Sequence, residues 1–258
     1  MAYFGSPVMI ELKSPDEIER MREAGQIVAG LLAYLGSMAH AGIKTKELDE
    51  AAQRYLEQRH TKSAFLGYRG FPASICVSVN EEVVHGIPGE RKLREGDVVS
   101  LDAGAVVDGL YADAATTVAI GRPPADGRRL METTRRALDE GIAKAVAGNR
   151  LSDISHAVQQ TVEQAGFGIV RDFVGHGIGR SLHEDPPIPN FGPPNIGPRL
   201  KVGMALAIEP MVTMGSYAVD VLADGWTAVT KDRSLAAHFE HTIAITERGT
   251  QVLTALAP

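Results

Sequence analysis

Four carboxylates stand where a charged side chain is hard to keep. Asp102, Asp113, Glu209 and Glu240 lie inside or at the ends of the apolar stretches VVSLDAGAV, LYADAATTV, ALAIEPMV and HFEHTIAI, where a lone ionised group carries a heavy desolvation cost. Any one of them could sit at a strand end in water or beside an arginine. Four in one chain need a common explanation. Clustered carboxylates repel one another unless cations lie among them, and a hard, oxygen-rich set of four can hold two divalent ions. Imidazoles are close by. His176 in VGHGIGR lies between glycines that let backbone and metal approach closely, and His183 follows seven residues later in LHEDPP. His85, in NEEVVHGIPG, is a third candidate, in a turn closed by Gly86 and Pro88.

Competing chemistries lack their motifs. The chain contains no G-x-S-x-G elbow, no G-x-x-x-x-G-K-[ST] loop and no H-E-x-x-H. Gly175, Gly177 and Gly179 do not have the G-x-G-x-x-G spacing, which disfavours nucleotide binding. Cys76 sits in an apolar strand context and reads as packing rather than as a nucleophile.

These residues need elements to position them. Ser14-Pro15-Asp16-Glu17 has a Ser N-cap, Pro at the first helical position and an acid at the third, the signature of a helix start. Its apolar face runs through Ile18, Met21, Gly25, Val28 and Leu32, and the Gly42 region is expected to close it. A second helix is expected over about Thr45 to Gln58, with Leu48, Ala51, Ala52, Tyr55 and Leu56 on one face. Ile75 to Val79, Val98 to Leu101 and Thr117 to Ile120 then read as strands. The order recurs in helical patterns near Asp126 to Ala147 and Ser152 to Ala165, followed by strands at Ala205 to Ile208 and Thr242 to Ile245.

That recurrence predicts an internal repeat, about residues 14–121 and 126–250. At an offset of 106, Gly42, Ala51, Gln53, Glu57 and Gln58 fall on Gly148, Ala157, Gln159, Glu163 and Gln164. At 107, Leu93, Gly96 and Asp102 fall on Leu200, Gly203 and Glu209, so an acid ends the apolar strand in both halves. The expected fold class is α+β: two related halves, each laying two helices against antiparallel strands, with a shared cleft between them. The acids fall two per repeat, so a pseudo-twofold would bring all four together.

Composition bounds the setting. The chain has 258 residues, 44% apolar and 22% charged, with 26 basic against 32 acidic side chains for a net charge of −6, an ordinary globular balance. A single cysteine excludes an internal disulfide and suits a reducing compartment. Residues 1 to 26 are acid-rich without a continuous apolar core, and the longest apolar run, Ile27 to Leu35, is too short to span a bilayer, so a cytoplasmic protein is expected. The mildly acidic balance argues against broad binding to nucleic acid.

In the order Asp102, Asp113, His176, Glu209, Glu240, with gaps of 11, 63, 33 and 31 residues, the chain resembles the type I methionine aminopeptidases of the pita-bread superfamily. The likeness runs through GYRGFPASICVSVNEEVVHGIPG, GDVVSLDAGAVVDGLYADAATT, GHGIGRSLHEDP, LAIEP and GWTAVTKDRSLAAHFEHT. It implies the pita-bread fold, helices on a curved antiparallel sheet, with residues 1–258 as one catalytic domain. It also implies two divalent ions (Co, Mn, Fe or Zn), with Asp102 on one, Asp113 and Glu240 bridging, and His176 and Glu209 completing the second. By the same resemblance His183 would hydrogen-bond the substrate and its tetrahedral intermediate, His85 would contact the peptide nitrogen, and Glu209 would accept a proton from the attacking water. The methionine pocket would fall on Phe65, Tyr68, Phe71, Cys76, Leu182 and Trp226, with Phe65 and Leu182 departing from the Cys and Phe of familiar bacterial members.

The implied reaction removes the N-terminal methionine from nascent polypeptides, with a small second residue preferred. His183 and Glu209 are 26 residues apart, which leaves no room for the helical insertion of type II enzymes. The resemblance further implies a monomer with no DNA or membrane partner. Arg128, Arg129, Arg135 and Arg136 form a basic cluster on a predicted helix, read first as a solvated face and second as a ribosome contact. Two rivals stand beside this reading: an Xaa-Pro aminopeptidase or dipeptidase of the same fold, and a non-catalytic binding protein that keeps it.

Overall fold

The computed structural model describes residues 10–256. The first nine residues, part of the stretch used above against a leader, lie outside the described residues, as do the last two.

The first helix, α1, spans Pro15–Met38 and starts as its sequence predicts. Ser14 Oγ accepts the Glu17 N–H at 3.3 Å, and the Glu17 carboxylate accepts the Ser14 N–H at 2.9 Å, so each satisfies a donor the helix leaves free. The helix ends at Met38, before the Gly42 region, because Ala39 turns to an extended conformation while its N–H still caps Leu35. Gly42, at φ +98°, serves the turn into the second helix instead. That helix, α2, covers Thr45–Glu57. Helices α3 and α4 cover Ala125–Lys144 and Leu151–Gln164, each within three residues of its expected ends.

A nine-stranded antiparallel sheet is curled into a half-barrel. Its central neighbours are the strands Val98–Val107, Leu110–Ala119, Glu240–Thr246, Ala205–Ile208 and Gly175–Gly177, in that order across the sheet. Two of these run well beyond their expected bounds: the first continues through Val107, and the second begins at Leu110 rather than near Thr117. Both extensions consist largely of small residues, which carry weak strand propensity and become strand because each pairs with the other over its full length. The Gly175–Gly177 strand carries no strand pattern in the sequence, where its glycines mark only a close approach around His176. A Cβ at Gly175 would overlap the Ala207 carbonyl, and one at Gly177 the Asp185 carbonyl, so glycine here permits close strand approach.

Period-two alternation sorts the two faces of the sheet. Leu101, Ala103 and Ala105 point toward Val28, Leu31, Leu32 and Leu35 of α1 in one fully buried cluster. Leu206, Ile208, Ile243 and Ile245 point the same way and pack on Leu138 of α3 and on Leu151 and Ile154 of α4. All four helices therefore cover one face, and the residues between those anchors face the other. Two three-stranded sheets close its flank. In one, Glu82–Val84 pairs with Ala228–Thr230, Val84 opposite Ala228; in the other, Met211–Thr213 pairs with Ala236–His238, Met211 opposite His238. None of the described helices is long and apolar enough to cross a membrane.

Candidate metal centre and active site

Strand register brings the five expected ligands onto the helix-free face. Asp102 pairs with Ala115, Gly104 with Asp113 and Ala115 with Glu240, so Asp102, Asp113 and Glu240 share one side. Thr242, two residues beyond Glu240, pairs with Ala207; His176 also pairs with Ala207, and Glu209 is two residues beyond it. Five adjacent strands or strand ends thus aim five donors at one point. Gly104 leaves the space they need, since a Cβ there would lie 2.9 Å from the Phe65 ring and 3.3 Å from Asp113 Cβ.

The donors are spaced for a cation rather than for one another. His176 Nδ1 lies 2.9 Å from the Gly177 carbonyl, which as acceptor fixes the proton on Nδ1 and leaves the Nε2 lone pair facing inward. Nε2 is 3.6 Å from Glu209 Oε1 and 3.7 Å from Asp113 Oδ2, beyond hydrogen-bond reach. One donor atom each from Asp113, His176 and Glu240 falls within a 4.8 Å span, room for an ion with donors at about 2.1 Å. Asp102 Oδ1 and Glu240 Oε1 are buried without a hydrogen-bond partner. Orphaned carboxylate oxygens, a lone pair aimed at them and a mixed O/N donor set fit divalent metal ions.

Electrostatics gives the same account. Burial first, then the neighbouring acids, pushes the carboxyls of Asp102, Asp113 and Glu240 up; burial alone raises Glu209, with His176 opposing. Without cations these groups hold protons that free carboxylates would have lost. Their framework is secured by neutral partners. The Thr242 hydroxyl donates to the Asp113 carbonyl at 2.7 Å, and Asn190 Nδ2 donates to the Glu209 carbonyl at 2.9 Å.

A cavity of about 170 Å³ opens over the carboxylates, and all thirteen expected site residues line it. Phe65, Tyr68, Phe71, Cys76, Leu182 and Trp226 form its apolar end, with Phe71 and Trp226 edge to face at 5.1 Å. Burial, and then Asp102 and Glu240, push the Cys76 thiol well up, so it is a neutral wall and no nucleophile. The strand pairing of Val84 with Ala228 brings His85 to 6.3 Å from the Trp226 ring. His85 is pushed down to about 4 by burial and by His238. His183 stands at the rim, its ring flanked by Tyr68 at 5.3 Å and His176 at 4.1 Å. That flanking explains why desolvation leads in pushing it down to about 3 even though the residue is partly open to water; His176 and Arg69 add to the effect. Both imidazoles are therefore neutral at pH 7 in the metal-free protein.

Sequence reasoning missed several neighbours. His238 is buried, with Nε2 3.5 Å from Glu209 Oε2, and its own N–H donates to Thr117 Oγ1 at 3.0 Å. It ends the Ala236–His238 strand while Glu240 begins the next one, so strand alternation does not link them, and only its nearness in sequence to a candidate ligand marked it. Arg69, Val84, Phe173 and Val174 also line the cavity, and no pattern in the sequence marks them.

A carboxylate-rich centre with one imidazole donor, opening into a cleft on a helix-backed sheet, defines a metal-dependent hydrolase. The sequence profile of metallopeptidase family M24 matches residues 19–247, and the chain belongs to that family. It is 54% identical over 246 residues to methionine aminopeptidase 1 of Bacillus subtilis strain 168, covering 95% of this chain and 99% of that protein. It is 50% identical over 247 residues to the methionine aminopeptidase of Clostridium acetobutylicum, with the same coverage. The crystal structure of methionine aminopeptidase from Thermotoga maritima superposes with a TM-score of 0.94 at 49% identity, covering 96% of this chain and all of that one. Prolidase from Pyrococcus furiosus, at 21% identity and a TM-score of 0.78, shares the fold; this chain covers 66% of its length. The fold is the pita-bread fold expected from the sequence.

Proposed function

We infer that the enzyme removes the N-terminal methionine from nascent polypeptides and peptides, preferring a small second residue. The observation that carries this reading is the junction of an apolar, aromatic-walled pocket with five converging donors in one cavity. Asp102 would hold one ion, Asp113 and Glu240 would bridge, and His176 with Glu209 would complete the second. Divalent ions held there would supply Lewis acidity, to activate water and to polarise the first peptide carbonyl. Co, Mn, Fe and Zn all suit the donor set, and supply decides among them.

The chain's own residues bind, orient and move protons. Phe65, Tyr68, Phe71, Cys76, Leu182 and Trp226 enclose the methionine side chain, whose polarizable thioether gains from aromatic contact. Neutral His183 offers an N–H to the carbonyl oxygen and to the tetrahedral intermediate, where a donor is worth most as charge develops. Neutral His85 contacts the peptide nitrogen. Glu209 accepts the proton of the attacking water.

The same proposal takes the chain as a single catalytic domain of two related halves. Paired backbone geometry supports it. Gly42 and Gly148 both adopt φ +98°, and each donates its N–H to the leucine at the matching position, Leu93 at 2.8 Å and Leu200 at 2.9 Å. Gly96 and Gly203 adopt φ +90° and +93° and donate to Ile120 and Ile245. A cytoplasmic monomer acting on chains as they leave the ribosome completes the picture. Arg128, Arg129, Arg135 and Arg136 are exposed on α3, with Arg129 over Phe167 and Arg135 over Phe239, which supports the solvated-face reading of this cluster.

The test is methionine release from Met-Ala-Ser and cleavage of an Xaa-Pro-Ala peptide, using metal-stripped protein with Mn, Fe or Co restored singly. Met release only with metal is expected. Cleavage of the prolyl peptide alone would move the enzyme to its prolyl-cleaving relatives, and inertness with every metal would leave a binding protein. The pocket has its own check. Removing one aromatic wall by Trp226→Ala, at about 1 kcal/mol or somewhat more, should raise KM for Met peptides about tenfold; an unchanged KM places the methionine elsewhere.

A further inference from the structure

The segment that leads into α1 grips, from both ends, the loop that presents Leu182 and His183. Lys13 is buried, its side chain only 1% exposed, and its ammonium sits 2.5 Å from Glu184 Oε2 and 3.0 Å from the Glu11 carbonyl. A buried ammonium is tolerable only when paired and hydrogen-bonded. Glu184 then does more than neutralise it. Its second oxygen accepts the backbone N–H groups of Arg180 at 2.6 Å and Ser181 at 3.1 Å, closing residues 180–184 around one carboxylate. At the other end of the loop the Arg180 guanidinium reaches Glu11 and Glu17, and Glu17 is the residue that caps α1 through Ser14.

Two further contacts fix Lys13 itself. Its N–H donates to the Gly203 carbonyl at 2.7 Å, in the turn before the Ala205–Ile208 strand that leads to Glu209. The Lys13 stem fills the space beside Gly179, where a Cβ would overlap Lys13 Cε. His183 by contrast makes no hydrogen bond among the described residues; ring contacts with Tyr68 and His176, and the path of its loop, set where it points.

We propose that Lys13 and Glu184 are positioning residues for the cleavage reaction: their buried ion pair sets the 180–184 loop so that His183 faces the scissile carbonyl and Leu182 closes the methionine pocket. The proposal rests on the reading of His183 as the group that meets the substrate. The pair spans 171 residues of sequence, touches neither the carboxylates nor the substrate cavity, and acts only through the loop. Displacing a substrate-facing group by about 1 Å can cost on the order of 100-fold in rate.

Glu184→Gln tests this directly, because an amide oxygen still accepts from Arg180 and Ser181 while the ion pair is lost. With Mn²⁺ saturating, kcat for Met-Ala-Ser should fall about 10- to 100-fold, with Mn²⁺ affinity by calorimetry held near wild type and amide exchange at Arg180 and Ser181 accelerated. Lys13→Met should give the same split between kcat and metal affinity if it folds; Glu184→Gln suffices if it does not. In a His183→Ala background, Glu184→Gln should add less than about twofold, since groups acting as one unit are not additive. A normal kcat in Glu184→Gln, a parallel loss of Mn²⁺ affinity, or a full additive effect on top of His183→Ala would each overturn the proposal. A wild-type kcat in His183→Ala itself would instead overturn the reading of His183 on which it rests.

Discussion

Glu240→Ala protein is expected to lose peptide hydrolysis by about a thousandfold or more while keeping its fold. Glu240 pairs with Ala115 on the adjacent strand, two residues along from Asp113 on the same face, and its Oε1 is buried with no hydrogen-bond partner. Burial and the other three acids hold its carboxyl well above the ordinary range without a cation. Truncation removes a donor that both ions would share, so the Lewis acidity of the centre, worth several kcal/mol of transition-state stabilisation, goes with it; each ~1.4 kcal/mol is tenfold in rate. The side chain makes no structural hydrogen bond that its loss would orphan, apart from its contact with Asp113. Circular dichroism should therefore match the parent, calorimetry should show weaker Mn²⁺ binding, and Met-Ala-Ser turnover should vanish. Activity within tenfold of the parent would dismiss the dinuclear reading.

The second large effect is on stability, and it reverses with metal. In metal-free protein the carboxyl of Asp102 is pushed up to about 8 from an ordinary value near 3.8, chiefly by burial, with Asp113 and Glu209 adding and His238 opposing. Between about pH 4 and pH 8 the native state thus keeps a proton that the unfolded chain has released. Stability from this group is complete below pH 4 and is lost as pH rises through about 8, at up to about 1.4 kcal/mol per pH unit. Asp102→Asn abolishes this titration. After chelation, the variant and the parent should melt alike near pH 4.5, and the variant should melt higher at pH 8. Histidines whose pKa is lowered, such as His85 and His241, titrate equally in both proteins and cancel in the comparison. Saturating Mn²⁺ should invert the order at pH 8, because only the parent has the full donor set for an ion to bind and stabilise. A metal-free parent that outlasts the variant at pH 8 would show that the carboxylates are not crowded as described.

His238 and Lys13 show how far local reasoning reaches. His238 lies two residues before Glu240 but ends a different strand, so only its nearness in sequence to a candidate ligand hinted at the site, where it approaches Glu209 to 3.5 Å. Lys13 carries no such signal. Its partner Glu184 lies across the molecule in sequence, and nothing near either residue specifies that α1 enters beside the loop of His183. Phe65 and Leu182 likewise reach one pocket from separate segments, and the close fit of Phe65 over Gly104 is a matter of packing.

By itself, the sequence determined what is local or periodic. The Ser14 to Glu17 capping box, the apolar faces of α1 and α2 and the strand cores at Ile75–Val79 and Ala205–Ile208 follow from hydrogen-bond completion, from the helical period of 3.6 and from short β-branched or apolar runs. The four acids, set in apolar stretches, also announced a charged site that needed cations. The tertiary structure alone decided which strands are neighbours, and so which donors meet. Alternation fixes the face of a residue only within its own strand, while the register between Ala115 and Glu240, or between His176 and Ala207, depends on how distant segments pack. It also made a strand of Gly175–Gly177, because strand propensity is weak against the gain from close pairing. Side-chain chemistry is written residue by residue, whereas the approach of five donors to within a few ångströms depends on long-range contacts of the whole sheet.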